Sequence, residues 1–189
     1  DWSSDVCSSD LPQPGSGYEP AIRLVNDRNQ FGNQKKILQR GDLQGIAVVG
    51  RLDIDSQGLL LFTQDGRLAK KIIGENSEIE KEYLVRVDKP ISPKFLEKMR
   101  NGVPILDTIT KKCEVEQIDT LQFRIVLTQG LNRQIRRMCE YLGYEVKKLK
   151  RIRIMNIKLD LPIGKWRDLT DAEMKELAQL LQDSSKTFD

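Results

Sequence analysis

The chain has 189 residues, of which 39% are apolar and 31% charged, with a formal net charge of +3; this suits one globular domain with a short extension. No run approaches the ~18 apolar residues of a membrane span, there is no basic-then-apolar leader with a small-residue cleavage site, and there is no histidine, which removes histidine-dependent hydrolase triads and the usual zinc sites. Three scattered cysteines, Cys7, Cys113 and Cys139, lack a Cys-x-x-Cys spacing, which argues against a disulfide framework and fits a reducing cytoplasm.

Residues 1–17 repeat Ser-Ser-Asp at Ser3–Asp5 and Ser8–Asp10, then pass through Pro12, Pro14, Gly15, Ser16 and Gly17. Such a segment buries too little apolar surface to offset its ordering entropy, so it is expected to be disordered and outside the fold. Its wording also resembles translated sequencing-adapter sequence, so it is read as non-native. The globular domain is expected over residues 18–182, with a polar tail at 183–189.

Within that domain Ile46–Val49 and Gly58–Thr63 are apolar runs of strand length, and Asp65-Gly66 marks a turn before a short helix over Arg67–Ile73. Tyr83–Val87 alternates apolar and polar residues as a half-buried strand does. Ser92 before Pro93 is an N-cap and first-turn pair, predicting a helix through Met99 that Gly102 follows. Lys112–Gln117 and Leu121–Leu127 read as strands around a turn at Ile118–Thr120. Asn132–Leu142 reads as a helix with Ile135, Met138, Cys139 and Leu142 on one face and Gly143 as its terminator. Val146–Leu159 is β-rich. Thr170 and Glu173 form a capping box that opens a last helix, with Met174, Leu177, Leu180 and Leu181 on one face. Strands interspersed with helices and hairpins predict an α+β fold, a mainly antiparallel mixed sheet flanked by helices, rather than a regular βαβ series.

Charge is unevenly spread. Between Leu131 and Arg153 stand Arg133, Arg136, Arg137, Lys147, Lys148, Lys150, Arg151 and Arg153, against only Glu140 and Glu145. A concentrated basic patch is the electrostatic footprint of a polyanion partner, although a solvated face has the same composition.

The segment Gly50-Arg51-Leu52-Asp53-Ile54-Asp55-Ser56-Gln57-Gly58-Leu59-Leu60-Leu61 places Arg, two Asp and Ser between two apolar runs. By itself this composition fits a tight turn whose Asp and Ser satisfy backbone donors. The same words resemble the signature Arg-Leu-Asp-x-x-(Ser/Thr)-x-Gly-Leu of the RsuA/Rlu family of pseudouridine synthases. Three further segments resemble that family in order: Lys81-Glu82-Tyr83; Gly130-Leu131-Asn132-Arg133-Gln134-Ile135-Arg136-Arg137-Met138; and Leu149–Met155 with Leu161–Thr170. The resemblance covers about residues 18–182, and the Arg-Ile-Met-Asn and Gly-Lys-Trp-Arg-Asp-Leu-Thr wording is closest to RluF-type members, which act on 23S ribosomal RNA of the large subunit.

The resemblance implies a pseudouridine synthase fold and an isomerase that detaches uracil from its ribose, rotates it and rejoins it through carbon. It implies Asp53 as nucleophile, at the ribose C1′ or the uracil C6, or in an assisted elimination. It implies Arg136 as the cation keeping a buried Asp53 ionised, and Tyr83 as ring platform and proton carrier. Arg51, Arg133, Arg137, Lys148, Lys150 and Arg151 are expected to contact RNA, whose target base has to be flipped out. Asp55 is expected to be a turn residue and Trp166 a packing residue. No metal and no organic cofactor are implied, and the partner is ribosomal RNA met by a monomer in the cytoplasm. The family usually carries an S4-type RNA-binding domain and a Lys-Pro-x-Gly strand ahead of this region; neither is visible in the sequence, and the sheet is expected to lack that strand. The competing readings are a non-catalytic RNA-binding module and a synthase of the same family acting on transfer RNA or small-subunit RNA.

Overall fold

The computed structural model describes residues 21–32, 37–39, 41–73 and 77–185; the expectation for residues 1–17 lies outside the described residues. Two 3-10 turns, Ala21–Leu24 and Asp27–Asn29, precede strand β1 (Ala47–Val49). A polar loop then leads to β2 (Gln57–Gly58), β3 (Leu61–Thr63) and helix α1 (Gly66–Ile73). Next come β4 (Lys81–Val87), α2 (Pro93–Asn101), a hairpin of β5 (Pro104–Ile105) and β6 (Thr108–Ile109), β7 (Glu114–Gln117) and β8 (Gln122–Leu127). They are followed by α3 (Gln134–Tyr141), β9 (Val146–Ile154), β10 (Ile157–Lys158) and α4 (Asp171–Ser185). The last helix runs past residue 182 into the segment assigned to the polar tail.

Local chemistry accounts for the helix ends. The Ser92 hydroxyl accepts from the Phe95 amide at 3.1 Å, with Pro93 in the first turn. The Thr170 and Glu173 side chains accept from each other's amides at 3.1 and 2.9 Å, the reciprocal capping box. Only part of the expected apolar face of α4 is buried: Leu177 and Leu181 are, but Met174 and Leu180 are 45% and 37% exposed. An i, i+4 pair is a narrow stripe, enough for a helix that rests against a single layer.

The main sheet has the order β10-β9-β4-β8-β7, antiparallel throughout, and β2 joins β9 in parallel. The mixed sheet flanked by helices is that of an α+β fold. The single strand expected over Gly58–Thr63 is divided between two sheets. At Gly58, φ is +119° and a Cβ would lie 2.1 Å from the Arg151 carbonyl oxygen, so only glycine lets the chain press against β9. Leu59 then donates to that same carbonyl at 2.9 Å, and β3 turns away to pair with β1.

Two apolar clusters result. Val85, Val87, Phe123, Ile125 and Leu149 from the sheet pack with Phe95, Met99, Ile135 and Met138 from α2 and α3. Val49, Leu61, Ile72, Ile79, Ile154, Ile157, Leu177 and Leu181 form the second. Between them the pairing of β4 with β9 slips: Tyr83 faces Arg151 while Glu82 faces Arg153 and Lys81 faces Ile154. One residue of β9, Ile152, is therefore extra, a bulge that lets one strand serve both clusters. On the outer face Arg124 bridges Glu82, Glu114 and Glu116, and Arg153 bridges Glu80 and Glu82.

Candidate active site

The loop from Gly50 to Ser56 is shaped by what lies beneath it. Arg151 is 2% exposed. Its Nε and Nη2 donate to the Leu59 carbonyl at 2.9 and 2.7 Å, Nη2 also donates to the Gly50 carbonyl, and Nη1 to that of Arg51 at 3.4 Å. One guanidinium thus clamps both ends of the loop, the use to which its rigid fork of donors is suited. Leu52 is buried beside Ala21, Leu60 and Phe62, and the Ser56 amide donates to the Asp53 carbonyl at 2.9 Å. These anchors leave the Asp53 side chain 40% exposed rather than buried as expected.

Helix α3 supplies the residues that face this loop. Its N-cap, Arg133, is left-handed at φ +49°, which turns its side chain toward the loop. Arg133 meets Asp55 with two hydrogen bonds, Nη1 to Oδ1 at 3.0 Å and Nη2 to Oδ2 at 2.7 Å, and lies 3.6 Å from the Asp53 carboxylate. Arg136 places Nε 3.4 Å from Asp55 and donates through Nη2 to the Asp55 carbonyl and, at 3.4 Å, to the Ser56 hydroxyl. Its Nε is buried without a hydrogen-bond partner. The hydrogen bond from Arg133 holds the Asp55 carboxyl below its usual range and pushes Arg133 up, while burial pulls Arg136 down.

Two expectations are corrected here. The cation beside Asp53 is Arg133, and the carboxylate nearest Arg136 is that of Asp55; both arginines sit on the first turns of α3 and the better-aligned acid takes them. Asp55 is in the turn as expected, but its carboxylate is the hub of the cluster. The second correction concerns Arg151, whose burial and four hydrogen bonds to main-chain carbonyls make it a scaffold of the loop, not an exposed phosphate contact. The Leu149–Arg151 alternation in β9, with Leu149 inward, was the signal for this.

The other named residues lie on several elements of the fold. Tyr83 is half-buried against the first cluster, on β4 directly opposite Arg151 of β9. Two residues before it, Lys81 is buried on the same face, a placement that the sequence reading did not use. Arg137 donates to the Asn132 carbonyl and amide oxygen at 3.0 Å each, tying down the loop that precedes α3. Arg51, Lys148 and Lys150 are exposed. Trp166 packs as expected, its indole nitrogen donating to the Asn26 carbonyl at 2.7 Å. A cavity of about 650 Å³ lies elsewhere, against Leu60, Phe62 and Trp166, and its wall includes none of Asp53, Tyr83, Arg133 and Arg136. No helix of the described residues is long and apolar enough to cross a membrane.

Comparison with known proteins gives a consistent result. A family model described as RNA pseudouridylate synthase matches residues 12–141. The dual-specificity RNA pseudouridine synthase RluF of Escherichia coli (strain K12) is 58% identical over 138 residues, 72% of this chain and 48% of that protein. The ribosomal large subunit pseudouridine synthase B of Haemophilus influenzae is 37% identical over 139 residues, 70% of this chain and 39% of that one. The chain thus spans about half the length, or less, of these curated relatives. A crystal structure of a pseudouridylate synthase superposes with a TM-score of 0.74 at 26% identity, over 86% of this chain and 66% of that one.

Proposed function

The chain belongs to the RNA pseudouridylate synthase family, and from that premise we propose that it isomerises a specific uridine to pseudouridine in ribosomal RNA of the large subunit, with Asp53 as the nucleophile. The observation that carries this reading is the juxtaposition of an accessible Asp53 with Arg133 at 3.6 Å, on a loop held in place by Arg151. A carboxylate held accessible on a fixed loop is available for attack on a flipped nucleotide. Tyr83 supplies the ring against which the base rests and the hydroxyl that carries the C5 proton. Arg51, Lys148 and Lys150 take phosphates. The enzyme acts as a cytoplasmic monomer. The dual specificity in the name of the E. coli relative favours a second RNA substrate as the second reading.

The test is pseudouridine mapping on large-subunit RNA fragments incubated with the wild-type chain or with Asp53→Asn. New pseudouridine is expected with the first, and about a hundredfold less or lower still with the second, the order of loss when a nucleophile is removed. No pseudouridine from the wild type, or equal amounts from both, would sink the reading.

A further inference from the structure

We propose that Lys81 is a further substrate-binding residue of this site, its ammonium holding a carbonyl oxygen of the target uracil as the base leaves the ribose; the inference rests on the function proposed above. Lys81 is only 7% exposed. A buried ammonium is ordinarily paired with a carboxylate or saturated by carbonyls, because desolvation without a partner is costly. Among the described residues Lys81 has neither an ion pair nor a side-chain hydrogen bond, and its charged neighbour, Arg151, has the same sign. Burial, and then Arg151, push its pKa below the usual lysine range. The fold thus shields most of this side chain and leaves its ammonium unpaired among the described residues.

Its position says what the cation is for. Lys81 and Tyr83 share a face of β4, ~6.7 Å apart along the strand. A Cβ placed on Gly130, in the loop leading to Arg133, would lie 3.9 Å from the Lys81 Nζ. Across the sheet is Arg151, which clamps the Asp53 loop. The ammonium therefore lies beside the loop that leads to Arg133 and near the guanidinium that clamps the Asp53 loop, on the face of β4 that carries the Tyr83 ring. Phosphates meet exposed cations at Lys148 and Lys150; a largely buried donor on the face that carries the ring reaches the edge of a base instead.

In the isomerisation the N1–C1′ bond breaks and its electron pair goes to the base, where the charge spreads to O2 and O4. The C1′–C5 bond then forms, C5 loses a proton and N1 gains one. Lys81 keeps its own proton throughout and donates only a hydrogen bond. That bond strengthens as negative charge develops, so it favours the transition state over the bound substrate.

The experiment compares the wild-type chain with Lys81→Met in thermal melting and in single-turnover isomerisation of three stem-loops, carrying uridine, 2-thiouridine or 4-thiouridine at the target. The methionine is apolar and of similar length, so removing an unpaired buried charge should leave the melting temperature unchanged or raised. The rate on uridine should fall roughly 10- to 100-fold, the range of a charge-assisted hydrogen bond. One thio-substituted RNA should be slowed much less by the change, since sulfur is a weak acceptor. A lowered melting temperature or failure to fold would make Lys81 structural and overturn the proposal. An unchanged rate, or equal slowing on all three RNAs, would overturn it as well. An active wild type matched by Lys81→Met defeats this inference alone, whereas a wild type that makes no pseudouridine defeats the parent function.

Discussion

Arg133 and Asp55 meet end-on, with Nη1–Oδ1 at 3.0 Å and Nη2–Oδ2 at 2.7 Å, while the Asp53 carboxylate stands 3.6 Å from the same guanidinium. Two acids therefore compete for one cation, and the one that does no chemistry in the proposed function holds it more closely. A phosphate that displaced Asp55 would bring Arg133 into contact with RNA, so Asp55 opposes RNA binding in the free protein. Asp55→Asn is expected to tighten RNA binding about three- to tenfold near 100 mM salt and to steepen the slope of log K against log salt by about one. Titration by fluorescence anisotropy at several salt concentrations measures both. Weaker binding would mean that Asp55 arranges Arg133 and Arg136 for RNA instead.

Arg151 has its charge facing three main-chain carbonyls and its side chain shut away from solvent. Arg151→Met should leave the Gly50 and Leu59 carbonyls without their donors and destabilise the protein by about 2–4 kcal/mol. Lysine offers no planar fork and should not restore it. Urea unfolding is the measurement, and a loss under about 0.5 kcal/mol would show that the loop holds its shape unaided.

The Tyr83 hydroxyl makes no hydrogen bond among the described residues. Tyr83→Phe keeps the ring and its packing, so stability and RNA binding should be unchanged. Formation of pseudouridine should drop by about 10²- to 10⁴-fold if the hydroxyl moves a proton. Rate and melting temperature falling together would indicate a packing role.

Glu173 accepts from Arg167 at 2.6 and 3.0 Å and caps α4 through Thr170. The Arg167 hydrogen bonds lower its carboxyl from 4.5 to about 2. A depressed folded-state carboxyl stabilises fully above the unfolded value and loses that contribution as pH falls through the folded one. Acid unfolding should therefore show a stability loss developing below pH 4.5 and complete near 2, and Glu173→Gln should flatten it. A wild-type profile that matches Glu173→Gln across this window would contradict the assignment.

The sequence by itself determined the elements whose causes are local. Ser92 caps α2 and Thr170 with Glu173 caps α4 because each side chain satisfies an amide three residues away. Alternation in Tyr83–Val87 marked the central strand, and the ordered motifs supplied the expectation that Asp53, Tyr83 and Arg136 share a site. What only the tertiary structure decided lies between residues far apart in the chain. Asp55 and Arg133, 78 positions apart, find each other because the loop clamp and the left-handed Arg133 aim them together. The break in Gly58–Thr63 depends on the closeness of β9 to Gly58, and the inward turn of Arg151 on which face of β9 meets the loop. Lys81 is only one letter of the Lys81-Glu82-Tyr83 motif until β4 is placed at the centre of the sheet. Charge and composition state which groups a chain owns; only packing sets which of them water can reach, and burial is what turns an arginine into a scaffold and leaves a lysine without a partner.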